Sequence, residues 1–171
     1  KAATASQASL LARLAAAAAR LGHPIMRITL GSPASRGTEP AQVLINRLIE
    51  PTRRAADRAA EVSLRLAIEN HGDLRAPDIL EIIERTGATN LGVTLDNVNL
   101  IRVGDDMIEG TRMLASRTLL VQLKDHAPFH DMPIGGPVST ALGEGVSDLP
   151  GVLGELQSAG YDGAVCVELA S

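Results

Sequence analysis

Apolar residues in this chain come in short dense runs separated by longer stretches of helical spacing. Ile25 to Leu30, Leu64 to Glu69, Leu91 to Asp96, residues 118 to 124 and Ala164 to Glu168 are rich in Ile, Val and Leu and too short for helices, so they read as buried strands. Between them the pattern is helical. Residues 6 to 21 form a helix stopped by Gly22 and Pro24, and a second helical pattern runs from about Pro40 to Glu61, with Pro51 either kinking it or opening a new helix. Asp78 to Thr86 is closed by Gly87, Asp105 to Ser116 is helical, and Leu149 to Ser158 ends at Gly160. His126 to Val146 is rich in Pro and Gly and reads as a loop, with one weak strand near Pro137 to Leu142. Strand alternating with helix implies a parallel sheet with right-handed crossovers.

Four of the strand-like runs deliver a polar side chain at or near their ends. They are Leu64-Arg-Leu-Ala-Ile-Glu69, Leu91-Gly-Val-Thr-Leu-Asp96, Leu119-Leu-Val-Gln122-Leu-Lys124-Asp125 and Ala164-Val-Cys-Val-Glu168. In a barrel of parallel strands the carboxyl ends build the active site, each strand giving a side chain to one pocket. One buried carboxylate is costly, whereas several oxygen-bearing groups meeting at a point suit a cation.

Composition narrows the partners. The net charge of -4 and a pI near 5.5 come without a concentrated basic patch, which argues against a nucleic-acid or anionic-membrane surface and for a small polar ligand. The lone Cys166 excludes an intramolecular disulfide, reads as a small core residue, and fits a reducing cytoplasm. The Ala-rich opening from Ala8 to Leu21 is interrupted by Arg13 and Arg20, so it reads as an amphipathic helix rather than a targeting segment. With no Trp, one Tyr and one Phe, aromatic platforms for stacking a sugar are scarce.

The 171 residues read as one partial barrel domain. A closed eight-stranded barrel takes roughly 200 residues or more, and five clear strands with one weak one fall short of it. The chain therefore reads as an internal piece of a longer barrel. By itself such an arc should leave its outer strands unpaired and an apolar inner face exposed, and so associate in solution.

At this point the motifs carry a resemblance. Leu66-Ala-Ile-Glu-Asn-His71, Gly92-Val-Thr-Leu-Asp-Asn-Val-Asn99, Val121-Gln-Leu-Lys-Asp125, Leu142-Gly-Glu-Gly145, and Gly160-Tyr-Asp-Gly163 followed by Val167-Glu168 resemble, in order and spacing, the xylose isomerase-like TIM-barrel superfamily, in particular its sugar phosphate isomerase/epimerase group. The resemblance implies an incomplete (β/α)8 barrel of that type, with two family strands before Lys1 and a closing helix after Ser171. It also implies a divalent metal held by Glu69, Asp96, Gln122 and Glu168. At the third position Gln122 stands where the family usually has His, and Asn99 replaces another frequent His. An all-oxygen set favours Mn, Mg, Ca or Co over Zn.

The implied chemistry is a metal-dependent isomerase or epimerase that abstracts a proton beside a carbonyl of a small sugar or keto-polyol. Glu69 and Glu168 would act as catalytic carboxylates, and Lys124 would stabilise the charge that develops on oxygen. His71, Asn99, Lys124 and Arg36 are the candidate substrate contacts. For Lys124 and Asp125 a buried ion pair or a solvated strand end is an equally good reading, and for His71 a satisfied loop histidine. His126, His130 and Asp131 have ligand-like spacing broken by Pro128, while Gly143-Glu-Gly145 suits either a tight turn or an anion near the following helix, with Ser147 or Asp148 as its cap. Gly31-Ser-Pro-Ala-Ser-Arg-Gly37 lacks a nucleotide-binding pattern. The alternative function is a non-catalytic sugar-binding or structural relative. A cyclic polyol ketone dehydratase is the near neighbour of the first reading, and an abasic-site endonuclease is disfavoured by the acidic charge. The expected partner is a small sugar or polyol, with no nucleic acid and no membrane; self-association into a homo-oligomer is left open.

Overall fold

Five parallel strands lie side by side in the order in which the chain makes them. They are β1 (Ile25–Ile28), β2 (Arg65–Glu69), β3 (Leu91–Asp96), β4 (Thr118–Leu123) and β7 (Val165–Val167), each hydrogen-bonded to the next. The computed structural model describes residues 13–14, 16–18, 20–32, 39–128 and 138–169. A strand order that never reverses is that of a barrel wall, whereas a doubly wound sheet reverses at its ligand crevice. The fold is a curled half-barrel of five strands, an incomplete TIM barrel as the sequence implied.

Helices α1 (Ala41–Ala60), α2 (Ala76–Thr86), α3 (Asn97–Arg102), α4 (Met107–Ala115) and α5 (Leu149–Ser158) connect the strands. Helix α1 runs unbroken through Pro51, so the proline neither ends it nor opens a second helix. It buries Leu44, Ile45, Ala56 and Ala59 on one face, and that burial offsets the hydrogen bond Pro51 cannot donate. Helix α2 starts two residues earlier than the pattern suggested because Asp105 reaches across. Its carboxylate accepts from the Ala76 amide and the Arg75 Nε, both at 2.7 Å. Gly87 closes the helix at φ 71°, a left-handed conformation suited to glycine. The short α3 was not evident in the sequence, because it begins directly on the strand end Asp96 with no intervening turn residues.

Strand alternation decides what the two sheet faces hold. Leu66, Ile68, Val93, Leu95, Val121 and Leu123 face the helices and belong to one core with Ile45, Ile79, Ile82 and Leu114. The opposite parity carries Arg27, Ala67, Glu69, Thr94, Asp96 and Gln122, matched through the registers Arg27↔Ala67, Glu69↔Thr94 and Asp96↔Gln122. The inner face is thus largely polar or small, which corrects the expectation of an apolar one. Exposed apolar groups include Val165 and Val167 on β7. Cys166 is exposed too, so it is not the core residue its apolar neighbours suggested; among the described residues β7 pairs only with β4.

The weak strand in the Pro/Gly-rich stretch is real but separate. β6 (Ser139–Thr140) pairs antiparallel with β5 (Asp125–His126) in a two-stranded ribbon beyond the end of β4. Among the described residues no helix is long and apolar enough to cross a membrane.

Candidate metal and active site

Three of the strand-end acids meet on the inner face. Carboxylate oxygens of Glu69, Asp96 and Glu168 all lie within 4.8 Å of one another. Glu69 closes β2, Asp96 closes β3, and Glu168 follows β7, so three separate crossovers bring them together. Gln122, in register with Asp96 on β4, hydrogen-bonds through its Nε2 to Glu168 Oε2.

Two cations compensate this cluster. Lys124 lies one residue beyond β4 and is buried, its Nζ 2.7 Å from Asp96 Oδ2 and 3.1 Å from Glu168 Oε1. Arg27, on β1, places Nη1 2.5 Å from Glu69 Oε2. Lys124 does sit in a buried ion pair and not at a solvated strand end, but its partners are Asp96 and Glu168 and not Asp125. Arg27 was missed from sequence; its signal was a lone charge in a β-branched strand, at the parity that faces inward. By formal charge, three carboxylates face two cations at the cluster.

Burial shapes the ionisation. Burial raises the Glu69 carboxyl above its ordinary range, opposed by Arg27 and His71. Burial likewise raises Asp96, against the pull of the Lys124 ammonium. Burial also opposes the charge on Lys124, but its two carboxylate partners outweigh that and its pKa rises. Burial thus works against the charged forms of both carboxylates, and the neighbouring Arg27 and Lys124 work for them.

The donors suit a hard divalent cation. The oxygens Gln122 Oε1 and Asn99 Oδ1 are buried without a hydrogen-bond donor among the described residues, and Asp96 Oδ2 has only its ion pair. Unpaired buried acceptors beside converging carboxylates are costly unless something positive meets them. Glu69, Asp96, Gln122 and Glu168 therefore form a donor set chemically suited to a divalent metal.

The remaining sequence candidates divide. His71 is half-buried next to the cluster, and its Nδ1 lies 3.3 Å from the Gly31 carbonyl oxygen. Asn99 sits in the first turn of α3, where its N–H donates to Asp96 Oδ1 at 3.1 Å. His126 is buried, with Nδ1 2.8 Å from the neighbouring Ala127 carbonyl. Arg36, His130 and Asp131 lie outside the described residues.

Asp125 answers the question of the Gly143-Glu-Gly145 turn. Its carboxylate accepts from the amides of Gly143 and Gly145 at 2.9 Å, Ser147 at 3.0 Å and His126 at 2.9 Å. The anion in this turn is internal, and Asp148 separately caps α5 by accepting from the Gly151 amide. Burial alone would raise the Asp125 carboxyl, but the amides of Ser147, Gly145 and His126 prevail and hold it below 3.8. A depressed acid stabilises the fold above its unfolded value and loses that contribution as pH falls through the folded one. The loop is thus expected to keep this contribution at neutral pH and to lose it as acid carries the solution through the carboxylate range and below it. A Cβ at Gly145 would overlap the Asp125 carboxylate and the His126 carbonyl. Gly145→Ala should cost about 1–3 kcal/mol by chemical denaturation; an unchanged midpoint would show that the turn yields freely.

The sequence profile of the xylose isomerase-like TIM barrel family matches residues 1–171, and the chain belongs to that family. The structure resembles a xylose isomerase domain protein from Planctomyces limnophilus, with a TM-score of 0.78 and 26% identity over 96% of this chain and 59% of that one. It also resembles the IolI protein solved with a bound zinc atom, at 0.76 and 17% over 94% and 59%. L-ribulose 3-epimerase matches at 0.73 and 20% over 96% and 54%. The last two likenesses bear on the fold alone. The chain spans between 54% and 59% of the length of these three relatives. No curated protein matches the sequence.

Proposed function

We propose that this chain carries the metal-binding half of a sugar isomerase or epimerase that moves a proton at a carbon beside a carbonyl. The observation that carries this reading is the convergence of Glu69, Asp96 and Glu168, with Gln122 and Lys124, at the ends of consecutive parallel strands. Glu69, Asp96, Gln122 and Glu168 would hold a divalent cation, which when bound supplies Lewis-acid polarisation of the substrate carbonyl. Glu69 ends β2 and Glu168 follows β7, with β3 and β4 between them, and in an epimerisation one of them would take the proton and the other return it. Lys124 holds the negative charge that develops on the substrate oxygen. His71, Asn99 and Arg36 are assigned to the substrate, and the polar inner face supports a sugar or polyol. A cytoplasmic, metal-dependent enzyme, as a monomer or homo-oligomer, completes the reading.

A test is metal analysis of the full-length protein followed by a screen of ketoses for uptake of solvent deuterium at the carbon next to the carbonyl. Metal in stoichiometric amount and exchange with at least one ketose are expected. A second reading, a non-catalytic sugar-binding relative, draws on Lys124, whose ammonium already neutralises Asp96 and Glu168. Sugar binding without metal or exchange would favour it. A dehydratase would share the exchange step and differ in releasing water.

Gln122→His tests the third donor. An imidazole is a stronger donor to Mn or Zn than a neutral amide oxygen, so binding should tighten about tenfold, ~1.4 kcal/mol. Calorimetry showing equal or weaker binding would remove Gln122 from the donor set.

A further inference from the structure

Each of two site residues is followed by a buried asparagine, and both asparagines make the same contact. Asn70 accepts from the Asp96 N–H through Oδ1 and donates Nδ2 to the Asp96 carbonyl, both at 2.7 Å. Asn97 accepts from the Lys124 N–H and donates to the Lys124 carbonyl, both at 2.8 Å. Each carboxamide therefore grips both backbone groups of one residue, and that residue is the next strand's contribution to the site.

The offset repeats as well. Glu69 is in register with Thr94, and its successor Asn70 grips Asp96, two residues further on. Asp96 is in register with Gln122, and its successor Asn97 grips Lys124, again two further on. Beyond the last paired residue of each strand, a side chain continues the ladder that the backbone has left. Asn70 and Asn97 are 1% and 0% exposed, so water does not compete for these bonds. Only a planar amide of this length offers a donor and an acceptor side by side, since Asp lacks the donor and Gln is one carbon too long.

We infer that Asn70 and Asn97 are positioning residues, which set Asp96 and Lys124 at the spacing the cation and substrate require. The inference rests on the metal reading above. Small displacements at such a site matter, because groups that orient a ligand typically change metal affinity by about 10–100-fold when removed. Asn90 provides an internal control. It bridges the Ala56 and Leu64 carbonyls at 2.9 and 3.0 Å, between α1 and the start of β2, away from the acid cluster.

The experiment is Mn2+ binding to the full-length protein by calorimetry and by the Mn2+ paramagnetic resonance spectrum, with thermal melts of each variant. Asn70→Ala should raise the Mn2+ Kd about 10–100-fold and alter the spectrum, whereas Asn90→Ala should lower the melting temperature with Kd unchanged. A crystal structure of Asn97→Ala should show Lys124 Nζ withdrawn from Asp96 and Glu168. If wild type takes up no Mn2+, the metal reading falls and this inference falls with it. If wild type binds and Asn70→Ala binds within about twofold of it, a change of under ~0.5 kcal/mol, the inference alone is overturned. Retention of the Lys124 contacts in Asn97→Ala overturns the second clamp. Asn70→Ser, which leaves room for a bridging water, is made in parallel; failure of both Asn70 variants to fold while Asn90→Ala folds would mark the clamp as a structural staple and overturn the positioning role.

Discussion

Lys124→Met in the full-length protein should cost about 3–5 kcal/mol of stability at neutral pH without metal, the loss expected when one partner of a buried ion pair is removed. Asp96 is fully buried, and its Oδ2 has the ammonium 2.7 Å away as its compensating charge. Without Lys124 the Asp96 carboxyl, already raised by burial, should rise further. An acid raised in the fold destabilises it above the unfolded value, so the loss should shrink as pH falls toward 3.8. Added Mn2+ should restore much of the stability, because the cation replaces the missing charge at the same carboxylates. Denaturation midpoints at neutral and acid pH, with and without Mn2+, check all of this. A pH-independent loss would point to packing by the lysine stem instead.

The second large effect is on turnover. Glu69→Gln and Glu168→Gln should each lower the deuterium exchange rate by about 10²–10⁴-fold, the range for loss of a general acid or base. Both residues also belong to the proposed donor set, so rates are compared at saturating Mn2+. If the two carboxylates serve one proton path, the double variant should fall little below the worse single one. Rates that stay near wild type at saturating metal would assign the carboxylates to binding alone. Arg27 adds a contrast, because its guanidinium contacts Glu69 and is half-exposed at the inner face.

Much of this site was legible in the chain. A polar residue ending each of several apolar runs is a local signal, since strand periodicity puts every second side chain on one face and barrel ends gather them. That reasoning points to Glu69, Asp96, Glu168 and a third run offering Gln122, Lys124 and Asp125, and the family resemblance implies Gln122 among these. It did not reach Arg27, because a single arginine on a short strand has no sequence neighbour that marks its partner, Glu69, 42 residues away. Nor did it reach the asparagine clamps: an Asn after a strand is ordinarily a turn former, and nothing local tells a turn from a side chain that extends a ladder.

The sequence by itself determined the alternation of strand and helix, the parallel half-barrel and the acids at its strand ends, because periodicity and strand-end chemistry are written in neighbouring residues. Only the tertiary structure decided which charges neutralise which. Lys124 turned to Asp96 and Glu168 rather than to its neighbour Asp125, and Asp125 turned to the amides of Gly143, Gly145 and Ser147. Successive residues at a strand end project to opposite sides, so the chain places Lys124 and Asp125 next to each other and the fold sends them apart. The polar inner face was settled in the same way, by register between strands tens of residues apart, which no single run of sequence contains.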